Sequence, residues 1–163
     1  MSSYPLFFTF KHVIQGDDFR AIIEAKGKAL MVNEDDKWWI YGVKPGGTAA
    51  HGASLTEGLS NFHTTFKNVL LDIASESQSA YRFKLEARDF FDSVDEEELK
   101  TWETARNKLR SEKIACPKDI DALKRETSDP DCSIDIILVR KTKRPGIKKK
   151  DIISDDDQYQ CAA

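Results

Sequence analysis

The stretch VKPGGTAAHGASLTEGLSNF, residues Val43–Phe62, decides the fold. It puts a proline-glycine-glycine turn, a run of small residues and a helix start in immediate succession. Lys44-Pro45-Gly46-Gly47 fits a type II turn, in which proline presets φ at the second position and Gly46 supplies the positive φ of the third. Valine at position 46 should then strain the turn by about 1–3 kcal/mol. The following GTAAHGA continues as a short strand whose small side chains admit a close neighbour. Ser54 and Glu57 form a capping box: the serine oxygen accepts from one orphan N–H and the glutamate reaches back. Leu55, Leu59, Phe62, Phe66, Val69, Leu70 and Ile73 then recur at spacings of three and four, the stripe of an amphipathic helix wide enough to lie on a sheet. The stretch is a strand-turn-strand-helix corner.

Upstream, Leu6–Ile14 (LFFTFKHVI) is aromatic and β-branched and reads as a strand, closed by turn residues at Gln15–Asp18. Phe19–Val32 is one strand kinked at Gly27 or two strands joined tightly. Asn33–Asp36 is a turn cluster, and KWWIYGV (Lys37–Val43) is the strongest strand signal, so the runs on either side should pair as a hairpin. Downstream, Gln78–Phe91 and the segment after Asp95 read as helices. Asp95 caps the second, with Glu98 at the boxed position and Val94 and Leu99 as staple. A short helix is expected over Asp119–Glu126 and a late strand over Ser133–Val139.

These elements predict an α+β fold: a small antiparallel sheet of three to five strands, a long amphipathic helix on one face, and additional C-terminal helices. The 163 residues make one domain, residues 1–141, with a helical insertion at about 78–127. Residues 142–163 read as a basic, then acidic, flexible tail. Before Arg140 there are 18 basic and 24 acidic residues, a net of −6, whereas RKTKRPGIKKK (140–150) holds seven basic residues and no acidic ones. The opening MSSYPLFFTFKHV lacks the pattern of a signal peptide. No stretch approaches the roughly 20 apolar residues of a membrane span. A cytoplasmic location is therefore expected. Cys116, Cys132 and Cys161 agree: they show no CxxC spacing, so three reduced thiols and no zinc are expected.

No residue pattern announces a reaction. His51 is a candidate base near a helix start, but no serine, cysteine or carboxylate stands at motif spacing from it. His12 and His63 read as packing residues. An acidic metal site of the RNase H type would require clustered carboxylates. The acids here sit in turns (Asp17, Asp18, Asp35, Asp36) and at a helix start (Asp95–Glu98), where turn chemistry and capping account for them. Hence no catalytic residue, no metal and no cofactor is assigned, and the chain is read as a non-enzyme. Pro45-Gly46-Gly47 lacks the spacing of a phosphate loop. Trp38 and Trp39 must face opposite sides of their strand, so one is core. The other is either a partner hot spot or is covered by the helix bearing Trp102. Trp38, Trp39 and Tyr41 are therefore the candidate partner-binding residues. Arg140, Lys141, Lys143, Arg144, Lys148, Lys149 and Lys150 are candidate phosphate contacts, with Asp151, Asp155, Asp156 and Asp157 as internal competitors.

Trp39, Pro45, Gly47, Gly52, Ser54, Glu57, Gly58 and Leu59 together resemble the HicB-like family. The resemblance covers about Ile22–Ala74. It implies a partial RNase H fold that generally lacks the acidic site, with Ile134–Val139 as the sheet's last strand. It also implies an antitoxin-type role in a toxin-antitoxin pair, binding a small basic RNA-cleaving toxin, or the role of a solitary relative. The C-terminal DNA-binding module usual in such antitoxins has no counterpart here. The expectation is thus a protein-binding chain with a small basic partner, compatible with homo-oligomers and away from membranes. The alternatives are a nucleic-acid module using residues 140–150 and a metal-dependent nuclease.

Overall fold

Leu6, Phe8, Phe10 and Ile14 alternate along one strand and all are buried, the pattern of a strand with one face on a core. In the computed structural model, which describes residues 2–111, 115, 117, 122–123, 132–138 and 158–162, this strand is β1 (Ser2–Gln15). It pairs along its whole length with β2 (Phe19–Glu34), which is a single strand through Gly27. Asp35 and Asp36, both at positive φ (52° and 60°), turn the chain into β3 (Lys37–Lys44). Two successive positive φ values match the right-handed twist of paired strands. β4 (Gly46–Gly52) follows, then α1 (Leu55–Glu76), α2 (Ala80–Asp92) and α3 (Glu96–Arg110). The chain returns to the sheet as β5 (Ala122–Leu123), β6 (Cys132–Leu138) and β7 (Gln158–Ala162).

The α+β class holds, with more strands than expected: among the described residues the sheet has seven, six of them in the order β4-β3-β2-β1-β7-β5. β6 lies off this path as an outer strand, as expected for the late strand, with β2 as its partner among the described residues. It pairs with β2 over Phe19–Ala25, end to end with β3, which pairs over Lys28–Glu34. Gly27 lies between these two partners, where a Cβ would stand 2.3 Å from the Lys44 carbonyl oxygen. All pairings are antiparallel except β5 with β7. Ala122–Leu123 is strand, not part of the expected helix over Asp119–Glu126, whose other residues lie outside the described ones. Residues 158–162 are likewise not tail. β7 pairs with Leu6–Thr9 of β1, and Cys161 and Ala162 are fully buried. Cys161 is disulfide-bonded, so the expectation of three reduced thiols fails.

Period-two alternation sends each strand's residues to two covered faces. On one, Phe8, Phe10, Ile23, Met31 and Ile40 meet Leu59, Phe62, Phe66 and Leu70 of α1 and Phe83, Ala87 and Phe91 of α2. On the other, Leu30, Val32 and Val43 meet Trp102 and Ala105 of α3. The sheet is therefore sandwiched, with α1 and α2 on one side and α3 on the other.

The corner is where this arrangement is set. Ser54 caps α1, its hydroxyl accepting from the Glu57 N–H at 3.1 Å, while Glu57 reaches back to the Ala53 N–H at 2.9 Å. A Cβ on Gly52 would stand 2.4 Å from the Gly58 backbone nitrogen, so glycine lets the helix start sit directly on β4. The expected type II turn is absent: the Lys44–Pro45 bond is cis, and the positive φ belongs to Gly47 (73°), not Gly46. Gly46 answers a different demand. Its N–H donates to the Ser93 carbonyl and the Asp95 N–H donates to the Val43 carbonyl, each at 3.0 Å. A Cβ at position 46 would lie 2.5 Å from the Asp95 nitrogen. Gly46→Val should still cost about 1–3 kcal/mol, through overpacking against this backbone rather than turn strain. Chemical unfolding of the variant measures it, and the α2–α3 connection should lose amide protection first.

Candidate partner-binding site

The three side chains expected to bind a partner do not share a face. Trp38 turns toward α1 with Ile40 and packs beside Tyr4, ring centroids 6.0 Å apart. Trp39 and Tyr41 turn to the α3 side, where their rings stack at 6.0 Å with planes 7° apart. The β3–β4 register places His51 opposite Trp39, and the imidazole lies 4.6 Å from the indole. The site is thus a row of three rings, Tyr41–Trp39–His51, at the β4 edge of the sheet. Trp39 and Tyr41 are half-buried and His51 is exposed.

Of the two explanations for the outward tryptophan, the structure bears on one. α3 does cover this face. Trp102 is 1% exposed, donates from Nε1 to the Leu6 carbonyl at 3.3 Å and packs edge-on to Phe7 at 5.2 Å. Lys28 Nζ and the Arg106 guanidinium stand 4.8 and 5.4 Å from its ring centroid, within cation–π range. Leu99 of α3 packs against the same cluster as Trp39 and Tyr41, yet both rings keep exposed surface. Val94 of the expected staple remains 40% exposed.

The surroundings of the rings are acidic. Asp95 caps α3 by accepting from the Glu97 and Glu98 N–H groups, each at 3.1 Å, and this anchors three glutamates in the first turn. Burial, and then the nearby charges of Asp95 and Glu97, raise the Glu98 carboxyl pKa above its ordinary value. Burial also raises the Tyr41 phenol, followed by the charges of Glu34 and Glu98. Two carboxylates from different elements therefore act on one ring of the row. Lys37 faces Glu34 across the hairpin and contributes a positive neighbour.

In sequence His51 is only a lone candidate base. Its alternation on β4 signals an outward side chain, but its place against Trp39 follows from the register. Glu34 and Glu98 were read as turn and cap residues, and nothing local linked either to Tyr41. His12 and His63 meet edge-on at 5.7 Å beside Phe10, consistent with packing roles. Pro45 is buried, Gly47 exposed, and Ser54 and Glu57 act at the helix start. Among the described residues no group of three His, Cys, Asp or Glu side chains could hold a metal ion. No helix among them is long and apolar enough to cross a membrane. The candidate phosphate contacts Arg140, Lys141, Lys143, Arg144, Lys148, Lys149 and Lys150 lie outside the described residues.

Compared with protein-family models, curated proteins and solved structures, the chain matches none.

Proposed function

We propose that this chain is a non-catalytic interaction protein that binds a basic protein partner through the β4 edge of its sheet. The observation that carries the reading is the half-exposed Tyr41–Trp39–His51 row beside the acidic start of α3. Exposed tryptophan and tyrosine in a partly desolvated setting are typical energetic anchors of interfaces. The net charge of −6 before Arg140 favours encounter with a positive partner.

The HicB-like, antitoxin-type form of this proposal draws its support from the corner alone. There Gly52, Ser54, Glu57 and Gly58 do bring strand and helix together. The cytoplasmic reading rests on the N-terminal sequence pattern with free thiols in agreement, and it loses the second of these supports, because disulfides persist mainly in oxidising compartments.

The test is affinity capture from the native organism, using the intact chain and a Trp39→Leu, His51→Ala variant. A basic protein recovered by the first and lost by the second supports the reading. Equal recovery by both would move the interface elsewhere. The nucleic-acid alternative is tested by neutralising 140–150 with alanine. Truncation at 140 is unsuitable, since it removes β7 and the buried Cys161. Should tight RNA or DNA binding with a steep salt slope vanish on neutralisation, the basic segment is the functional site. Metal-dependent cleavage abolished by changing one acidic residue would establish the nuclease reading instead.

A further inference from the structure

We propose that Tyr41, Trp39 and His51, flanked by Glu34 and Glu98, form a recognition site for an arginine side chain presented by the basic partner. This deepens the preceding proposal and rests on it for the source of the arginine. Three observations converge on the chemistry. The rings of Trp39 and Tyr41 are parallel, 7° apart with centroids 6.0 Å from each other, and with the exposed His51 they make one aromatic row whose solvent side a flat group can lie against. Guanidinium is flat, delocalised and weakly hydrated, which lets it stack on an aromatic face at a smaller desolvation cost than ammonium. Trp is the strongest ring for such a cation.

The carboxylates supply the second part. Glu34 comes from the end of β2 and Glu98 from the first turn of α3, yet both charges reach Tyr41. A cation on the Tyr41 end of the row would thus feel two acidic charges held by separate elements, and charge-assisted pairing with a carboxylate is the stronger kind of hydrogen bond. The crowding of Glu98 by Asp95 and Glu97 is a repulsion that an incoming positive charge relieves. Lys37 opposes entry, and its cross-strand Glu34 offsets it; Lys28 and Arg106, on the same sheet face, stand against the Trp102 ring.

The fold already shows the aromatic half of this chemistry in a closed form. Beneath α3, Arg106 lies 5.5 Å from the Phe7 centroid and 5.4 Å from that of Trp102. The same sheet face therefore seats one guanidinium on aromatic rings internally and leaves a second aromatic row open at its edge.

The probe is a fluorescein-labelled nonapeptide with three arginines, set against the same peptide with citrulline, which keeps the shape and loses the charge. Anisotropy titrations at low salt should show binding of the arginine peptide at least about tenfold tighter than the citrulline peptide. Trp39→Leu and Glu98→Gln should each weaken it about tenfold, with thermal melts showing that both variants remain folded. Alanine neutralisation of residues 140–150 should leave it unchanged. Equal affinity for the two peptides, or no loss in folded Glu98→Gln and Trp39→Leu, overturns the site. So does a dimer of the chain that forms through Trp39 and excludes the peptide. The two proposals fail separately. If a partner is captured equally by Trp39→Leu, the arginine site falls while the interaction role stands. If no partner is captured but arginine-selective binding at Trp39 persists, the interaction role falls and the site stands.

Discussion

Trp102→Ala should lower the free energy of unfolding by about 3–5 kcal/mol, the range for truncating a fully buried large aromatic. The indole is 1% exposed and joins α3 to the sheet through Leu30, Val32, Val43 and Phe7. Its removal leaves a cavity, deletes the N–H donor to the Leu6 carbonyl and takes the aromatic ring from beside Lys28 and Arg106. Against a typical total of about 5–15 kcal/mol, such a loss leaves a marginal protein. Trp102→Phe should cost less, because much of the packing survives and only the donor and the second ring are lost. Equilibrium urea unfolding followed by far-UV circular dichroism gives both values. A loss below 1 kcal/mol for the alanine variant would mean that α3 does not depend on this contact.

Phe66→Ala should be comparably severe, again about 3–5 kcal/mol, for a different reason. Phe66 is the ring at which three elements, β1, α1 and α2, meet. It stacks on Phe8 of β1 at 5.3 Å with planes 22° apart and lies 4.5 Å from Phe62 on its own helix. It also touches Phe10 of β1 and Phe90 and Phe91 of α2. Truncation should therefore loosen α2 together with α1. Hydrogen exchange should show amides of 80–92 losing protection in parallel with those of the long helix. Phe66→Leu keeps much of the volume and should recover at least half of the loss. If α2 kept full protection in the alanine variant, the two helices would be uncoupled.

Both residues were visible in the sequence as members of apolar stripes, and their contrasting settings show what such stripes do and do not tell. The helix from Leu55, its Ser54 cap and the Asp95 cap were all legible, because capping and 3.6-residue periodicity act over a few neighbouring positions. So were β1, β3 and the hairpin between β2 and β3. Gly46 was flagged as a special position, but for the wrong reason. Sequence reasoning supplied a local turn, whereas its tight neighbour is the Asp95 backbone, far along the chain. β7 was read as tail because short, polar QYQCA carries almost no periodic signal. What makes it a strand is the open hydrogen-bonding edge of β1 at Leu6–Thr9.

The same division holds for the candidate site. Local order determined that Trp38 and Trp39 face opposite ways, that an acidic turn starts α3, and that His51 lies on a small-residue strand. Those are consequences of bond geometry and capping, and they need no distant partner. The same alternation puts Tyr41 on the face of Trp39 and not of Trp38. Only the tertiary structure decided that this face is the α3 side, that His51 lies against Trp39, and that the charges of Glu34 and Glu98 reach Tyr41. Strand register and the docking of α3 across the second sheet face are set by burying apolar surface between segments far apart in sequence, a balance that no short window of residues contains.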